Sequence, residues 1–344
     1  MNKSLLITCL PDVPLSDFHA FHVGENKQHL DTGALSYHFS KTLLNRIESL
    51  PTFFKNISVP VTLVIPGFVI EILHKHYPLT NQKLAHFIAH APVELALVPF
   101  YNTSLHIMDD EELQQQLDWH MHSCVQQYAK KPKVLFSQEH LSSWQKRFIQ
   151  KKFNCLVPSH KHLDSCFIVP IENASQEFLK PAFKELFSKD SSLKKSFVFL
   201  WQLVSQNDSD ICNLHPNKKS VTLHPLQKHV IEELSQLKPY ILQLTSSQQN
   251  DLLKSWRLLL QPSRLQNIHP QTASINHSPY EMYAQVMHMC ADVATTILST
   301  ANARQGKIYN TPVVSDSPSQ EVKNFFKQHM NNQNFTSFLQ RNNI

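Results

Sequence analysis

Short runs of β-branched and apolar residues alternate with segments of helical periodicity through the first two-thirds of the chain. No other feature constrains the fold as strongly, because parallel strands need a long crossover between them and helices supply it. SLLITCL (4–10), VPVTLVI (59–65), VELALVPF (93–100), PKVLFSQ (132–138), NCLVPS (154–159), SCFIVPI (165–171) and SFVFLWQLV (196–204) read as strands. Their near-continuous apolar character is that of strands buried on both faces. Helical patterns fall at 37–57, 68–76, 81–90, 142–153 and 176–188, and the clearest one follows the third strand. There Leu113, Leu117, Met121, Cys124, Val125 and Tyr128 recur at steps that put them on one helix face. Asp109, Asp110, Glu111 and Glu112 crowd its start and Lys130 and Lys131 its end, matching the two poles of a helix dipole.

Beyond about residue 223 strand signals stop. Long helical patterns take over, and Tyr283, Val286, Met287, Cys290, Val293 and Ile297 trace an amphipathic stripe. The organisation expected is a β/α barrel over 1–215, a helical region over 216–309 packed beside it, and a polar tail over 310–344 rich in Asn, Gln and Ser.

Composition removes several functions. Four glycines among 344 residues cannot build a Gly-rich phosphate loop. A net charge of +5 without a basic run gives little basis for nucleic-acid binding. No stretch of about 18 apolar residues is available to span a bilayer, so a cytoplasmic protein without a membrane partner is expected. Six scattered cysteines read as buried reduced thiols rather than a disulfide framework.

In parallel β/α sheets functional groups gather at the carboxyl ends of the strands. Polar residues stand there as Tyr101–Asn102–Thr103, Gln138–Glu139–His140, Ser159–His160 and Trp201–Gln202. Glu139 is the acid of most interest, since a carboxylate at such an end needs partners to offset its desolvation. From the residues alone it reads better as a helix N-terminal acid, because Ser142 and Ser143 open a helix directly afterwards and one carboxylate makes no acid–base pair. The 21 histidines do not make a metal site. His120 and His122, like His74 and His76, lie two apart on a helix, roughly 200° around its axis, and cannot chelate one ion. His19 and His22 can meet on one turn but have no Cys or carboxylate beside them. No metal or other cofactor is expected.

Several segments, in order along 36–293, resemble glycoside hydrolase family 57, whose members act on α-glucans. VELALVPFYNTSL (93–105) is similar to that family's V-E-L-L-A-E-x-Y-Y-H-S-L pattern, and DDEELQQQLDWH (109–120) to the acidic, Gln-containing helix after it. KPKVLFSQEHL (131–141) resembles K-P-K-V-F-R-N-T-E-L, whose Glu is the family nucleophile and falls on Glu139. IENASQEFLKPAF (171–183) takes the place of the loop containing L-S-D-D-I. SWRLLLQ (255–261) and SPYEMYAQVMHMCADV (278–293) resemble the family's W-R-x-L-Q and S-P-Y-x-A-F helices.

The resemblance implies an irregular (β/α)7-type barrel, an α/β fold, with a C-terminal helical bundle. It implies Glu139 as the catalytic nucleophile, Tyr101, Asn102, Trp201 and Gln202 as substrate contacts, and an α-glucan or oligosaccharide as the ligand. The departures are extensive. Leu10–Pro11–Asp12 stands where the family has a sugar-contacting His-Gln-Pro, Val98 where it has Glu, and Asn102 where it has His. Trp201 or Gln202 occupies the place of the general-acid Asp. Ser263–Arg264–Leu265 replaces a Ser-Asp-His signature, and Gln176 and Glu177 replace the paired acids of L-S-D-D-I. A retaining glycosidase needs two carboxyl groups roughly 5–5.5 Å apart. Only Glu139 is present where one is expected, with Asp12, Glu177 and Asp208 as conceivable substitutes for the other. The expected activity is reduced or absent. The alternative is a non-catalytic carbohydrate-binding or scaffold protein that reuses the barrel.

Overall fold

The computed structural model describes residues 4–11, 43–57, 59–105, 107–137, 141, 143–157, 166–170, 199, 202, 223–244, 246–269 and 278–304. Strands β1 (Ser4–Thr8), β2 (Val61–Val64), β3 (Val93–Leu97), β4 (Val134–Leu135) and β5 (Cys166–Pro170) form one sheet in the order β4-β3-β2-β1-β5. Every pairing is parallel, as the alternation with helices requires. The expected strands at 4–10, 59–65, 93–100 and 132–138 therefore share a sheet, and the 165–171 run joins it as β5 beside β1. Of the 154–159 run, residues 154–157 are described, and there Leu156 bridges to Val134 in parallel. Of the 196–204 run only Phe199 and Gln202 are described. Gln202 is helical and its Oε1 accepts the Phe199 N–H at 3.1 Å, so the strand expected there does not extend through Gln202.

The crossovers are α1 (Asn45–Ile57) between β1 and β2, α2 (Gly67–His76) and α3 (Pro78–His90) between β2 and β3, α4 (Asp110–Tyr128) between β3 and β4, and α5 (Ser143–Phe153) after β4. Among the described residues four more helices follow: α6 (Pro225–Ile241), α7 (Ser246–Leu259), α8 (Pro262–Ile268) and α9 (Pro279–Arg304). By packing, residues 1–297 make one compact unit and 298–344 a second. The boundaries expected at 215 and 310 fall outside the described residues.

The two sides of the sheet differ in what covers them. Leu5, Ile7, Leu63, Val93 and Leu95 pack into a large core with residues of α1–α4, α6–α9. Leu97 and Leu135 continue that side against α4 and α5. The opposite side is different: Leu6, Val64, Ala96, Val98, Val134 and Phe136 cluster with Leu10, Leu156 and Ile168, all on strands or their immediate extensions. Among the described residues, that second cluster is made by strand residues and their immediate extensions.

Helix α4 forms as its sequence directs, with one exception. Asp109 caps it by accepting the Glu112 N–H at 2.8 Å, and Ala129 ends it with φ 52°. Leu113, Leu117, Cys124 and Tyr128 are buried, but Val125 is 46% exposed. An α-helix turns about 100° per residue, so Val125, one step beyond Cys124, rotates off the buried face. The α9 stripe is buried from Val286 to Ile297, as its spacing predicts. Cys9, Cys124, Cys155 and Cys290 are buried free thiols.

One glycine holds β2's exit against β3's. A Cβ on Gly67 would lie 2.1 Å from Cδ2 of the buried Phe100, whose carbonyl accepts the Phe68 N–H at 2.9 Å. Phe100 cannot retreat freely, because its ring packs edge-on against Tyr101 and Trp119. Gly67→Ala is therefore expected to destabilise by about 1–3 kcal/mol, as overpacking does, despite the backbone entropy that alanine saves. Urea unfolding of the two proteins reads this directly, and an unchanged or raised midpoint would contradict it.

Candidate functional site

The carboxyl rim of the sheet is where a parallel α/β fold carries its chemistry. The register aligns Thr8 with Val64 and with Pro170, and Ala96 with Val134. Two residues further toward the rim, the side facing Leu6 and Val64 presents Leu10, Val98 and Phe136, and all three join the apolar cluster. Val98 and Phe136 are buried. Polar side chains on this side are the buried Ser4 and Thr8 of β1 and a hydrogen-bonded pair in which Thr62 Oγ1 donates to Glu94 Oε1 at 2.5 Å. Glu94 lies four residues before Val98 along β3, roughly 13 Å below the rim at strand rise.

His120 of α4 ties the exits of β2 and β3 together. Its Nδ1 accepts the Val98 N–H at 3.1 Å, which leaves the proton on Nε2 to donate to the Ile65 carbonyl at 2.8 Å. Cys124 Sγ lies 3.4 Å from that same Nε2. Complete burial pushes the imidazole pKa down to about 4, against the smaller upward pull of the Ile65 carbonyl. A neutral ring with both nitrogens engaged is a structural pin. Among the described residues no three His, Cys, Asp or Glu side chains are grouped to hold a metal ion. No described helix is long and apolar enough to cross a membrane.

Below the β3 exit lies a buried polar network that links α4 to α7. Arg257 Nε donates to Glu112 Oε1 at 2.5 Å, and its NH2 group donates to Glu112 Oε2 at 3.1 Å and to Gln115 Oε1 at 2.8 Å. The guanidinium is also flanked by two rings, with centroids 4.7 Å away for Trp119 and 5.7 Å for Tyr101. Lys238 of α6 reaches both Asp109 and Glu112, at 2.5 and 3.6 Å. Gln116 Nε2 donates to Glu112 Oε1 at 2.8 Å, while its Oε1 accepts the Tyr101 N–H at 3.2 Å.

Of the expected site residues, Tyr101 and Asn102 are adjacent in this loop. Tyr101 is buried and packs on the helix side of the sheet, its ring 6.3 Å from that of Phe68. Burial pushes its phenol up to about 12, opposed by the charge of Arg257. Asn102 is half-buried at φ 54°, and its N–H donates to the Pro99 carbonyl at 2.9 Å. Gln202 bonds locally to Phe199, as above. Glu139 and Trp201 lie outside the described residues, as do Gln138, His140, Ser159, His160, Asp12, Glu177 and Asp208. Glu112, Gln116, His120 and Arg257 were not singled out as a group from sequence, although Arg257 lies in the W-R segment and Glu112 and Gln116 in the acidic helix.

Neither a family model nor a curated protein matches the sequence. Among solved structures, the 4-α-glucanotransferase from Thermococcus litoralis is similar, with a TM-score of 0.41 and 10% identity over 88% of this chain and 60% of that one. The chain thus spans about 60% of that enzyme's length. A likeness of that size assigns no chemistry.

Proposed function

We propose that the chain is an α-glucan hydrolase- or transferase-like barrel protein of the family 57 kind whose hydrolytic activity is reduced or lost. The observation that carries this reading is the apolar rim. Val98, at the position of a Glu in the family pattern, is buried beside Phe136 and Leu10. A carboxylate there would be desolvated among hydrocarbon neighbours, so the sequence change and the packing agree. The barrel itself is supported by the five parallel strands and by the apolar face they present in Leu6, Val64, Ala96 and Val134, since a sheet that curls on itself fills its interior with its own side chains.

In this reading Glu139 keeps the nucleophile position and Trp201–Gln202 has displaced the general acid. Without a proton donor the sugar leaves as a poor alkoxide leaving group, and general-acid help is typically worth about 10²–10⁴ in rate. The wild type is then expected to leave maltooligosaccharides intact and to cleave, slowly, an aryl α-glucoside whose leaving group needs no proton. Glu139→Ala abolishes that residual cleavage. Robust hydrolysis or transfer on maltooligosaccharides by the wild type would overturn the reading.

A second reading is a non-catalytic carbohydrate-binding or scaffold protein that reuses the barrel. Binding without cleavage distinguishes it, read as a tryptophan fluorescence change on titrating maltooligosaccharides, with Trp201→Ala as control. No binding at millimolar sugar would sink it.

A further inference from the structure

The loop at 100–105 leaves the carboxyl end of β3, yet its polar groups are satisfied largely by α4 and by the α7–α8 corner. Thr103 Oγ1 accepts from Gln116 Nε2 at 3.0 Å and donates to the Arg257 carbonyl at 3.2 Å. The Ser104 N–H donates to the Leu260 carbonyl at 2.9 Å, and Gln261 Nε2 donates to the Tyr101 carbonyl at 3.3 Å. Side chains of Thr103, Gln116, Arg257 and Gln261 are all buried, so water does not substitute for these bonds.

A causal chain runs through them. Arg257 fixes both oxygens of Glu112, Glu112 holds the amide of Gln116, and Gln116 presents its oxygen to the Tyr101 N–H. Next to Tyr101 stands Asn102 at φ 54°, in the left-handed region that asparagine adopts more readily than most residues with a side chain. We infer that α6–α8 act as a strut that sets the conformation of the 100–105 loop, with Arg257 as its positioning residue. The inference holds whether or not the rim cleaves sugar. It also makes the coupling reciprocal: a ligand that orders Tyr101 and Asn102 tightens the docking of the helices by the same factor.

Hydrogen exchange on the full chain tests it. Arg257→Met alone takes both guanidinium bonds from the buried Glu112 charge and lowers stability everywhere, so the informative protein is the double variant Arg257→Met with Glu112→Met. Removing both charges together spares the fold the unpaired ion. In the double variant the amides of Tyr101 and Ser104 are expected to exchange at least tenfold faster than in the wild type, while those of β1 and β2 keep their wild-type protection. Unchanged protection at Tyr101 and Ser104 would overturn the strut. So would equal acceleration across β1, β2 and the loop, which would reduce Arg257 to a contributor to global stability.

Discussion

Glu112→Gln is expected to cost about 3–5 kcal/mol, the usual consequence of stranding one partner of a buried ion pair. Glu112 is only 2% exposed and takes both the Arg257 guanidinium and the Lys238 ammonium. Glutamine keeps the shape and one acceptor but removes the charge, leaving Arg257 cationic between the Tyr101 and Trp119 rings. Those rings stabilise a cation by about 0.5–2 kcal/mol, too little to replace a carboxylate. Chemical denaturation is the measurement, with the Glu112→Met, Arg257→Met pair as the comparison. The double variant should be more stable than Glu112→Gln. Equal stability of Glu112→Gln and the wild type would show that the pair is screened by solvent, contrary to its burial.

The second large effect is acid sensitivity through His120. Its folded pKa, about 4, lies below the ordinary value of 6.5, so the unfolded chain takes up the proton more readily. Stability from this residue is therefore full above pH 6.5 and falls as the pH drops toward 4, by roughly 3 kcal/mol over the whole interval. Asp109, whose burial is outweighed by its bonds to Lys238 and the Glu112 N–H so that its carboxyl lies below the usual range, contributes in the same direction, and Asp251, raised by burial, in the opposite one, so the contrast must be made against a variant. His120→Gln is less stable at pH 7, because one ring-spanning bond to Val98 or Ile65 is lost, but its further loss between pH 6.5 and 4 is smaller than that of the wild type. Parallel pH profiles for the two proteins would remove His120 from the account.

What could be read in advance divides along a physical line. The parallel sheet was legible because apolar runs and amphipathic helices are local patterns, and β1–β3 and α2–α5 fall where those patterns lie. Strand lengths were less legible. The run at 132–138 offers seven residues, but only Val134 and Leu135 pair in β4, since pairing depends on a neighbour's register. At the candidate site, Val98 was legible as a substitution, whereas its burial among Leu10 and Phe136 required the register of three strands. Glu112 was read as an acid suited to a helix dipole. Its real partner lies 145 residues away, and no spacing rule connects them. His120 was weighed as a ligand and set aside on angular grounds, and two of the groups it binds, the Val98 N–H and the Ile65 carbonyl, are backbone atoms, which sequence does not display.

The distance between Glu112 and Arg257 also orders events during synthesis. At about 5–20 residues per second, Arg257 is made roughly 7–30 s after Glu112, given their separation of 145 residues. Throughout that interval Glu112, Gln116 and the 100–105 loop exist without the groups that later bury them. The nascent sheet and α4 must stay hydrated at that edge, held by local bonds such as the Asp109 cap, until α7 emerges. A ribosome that pauses between residues 130 and 250 lengthens the exposure of a half-built charged core, which makes codon choice in that stretch a variable for folding yield.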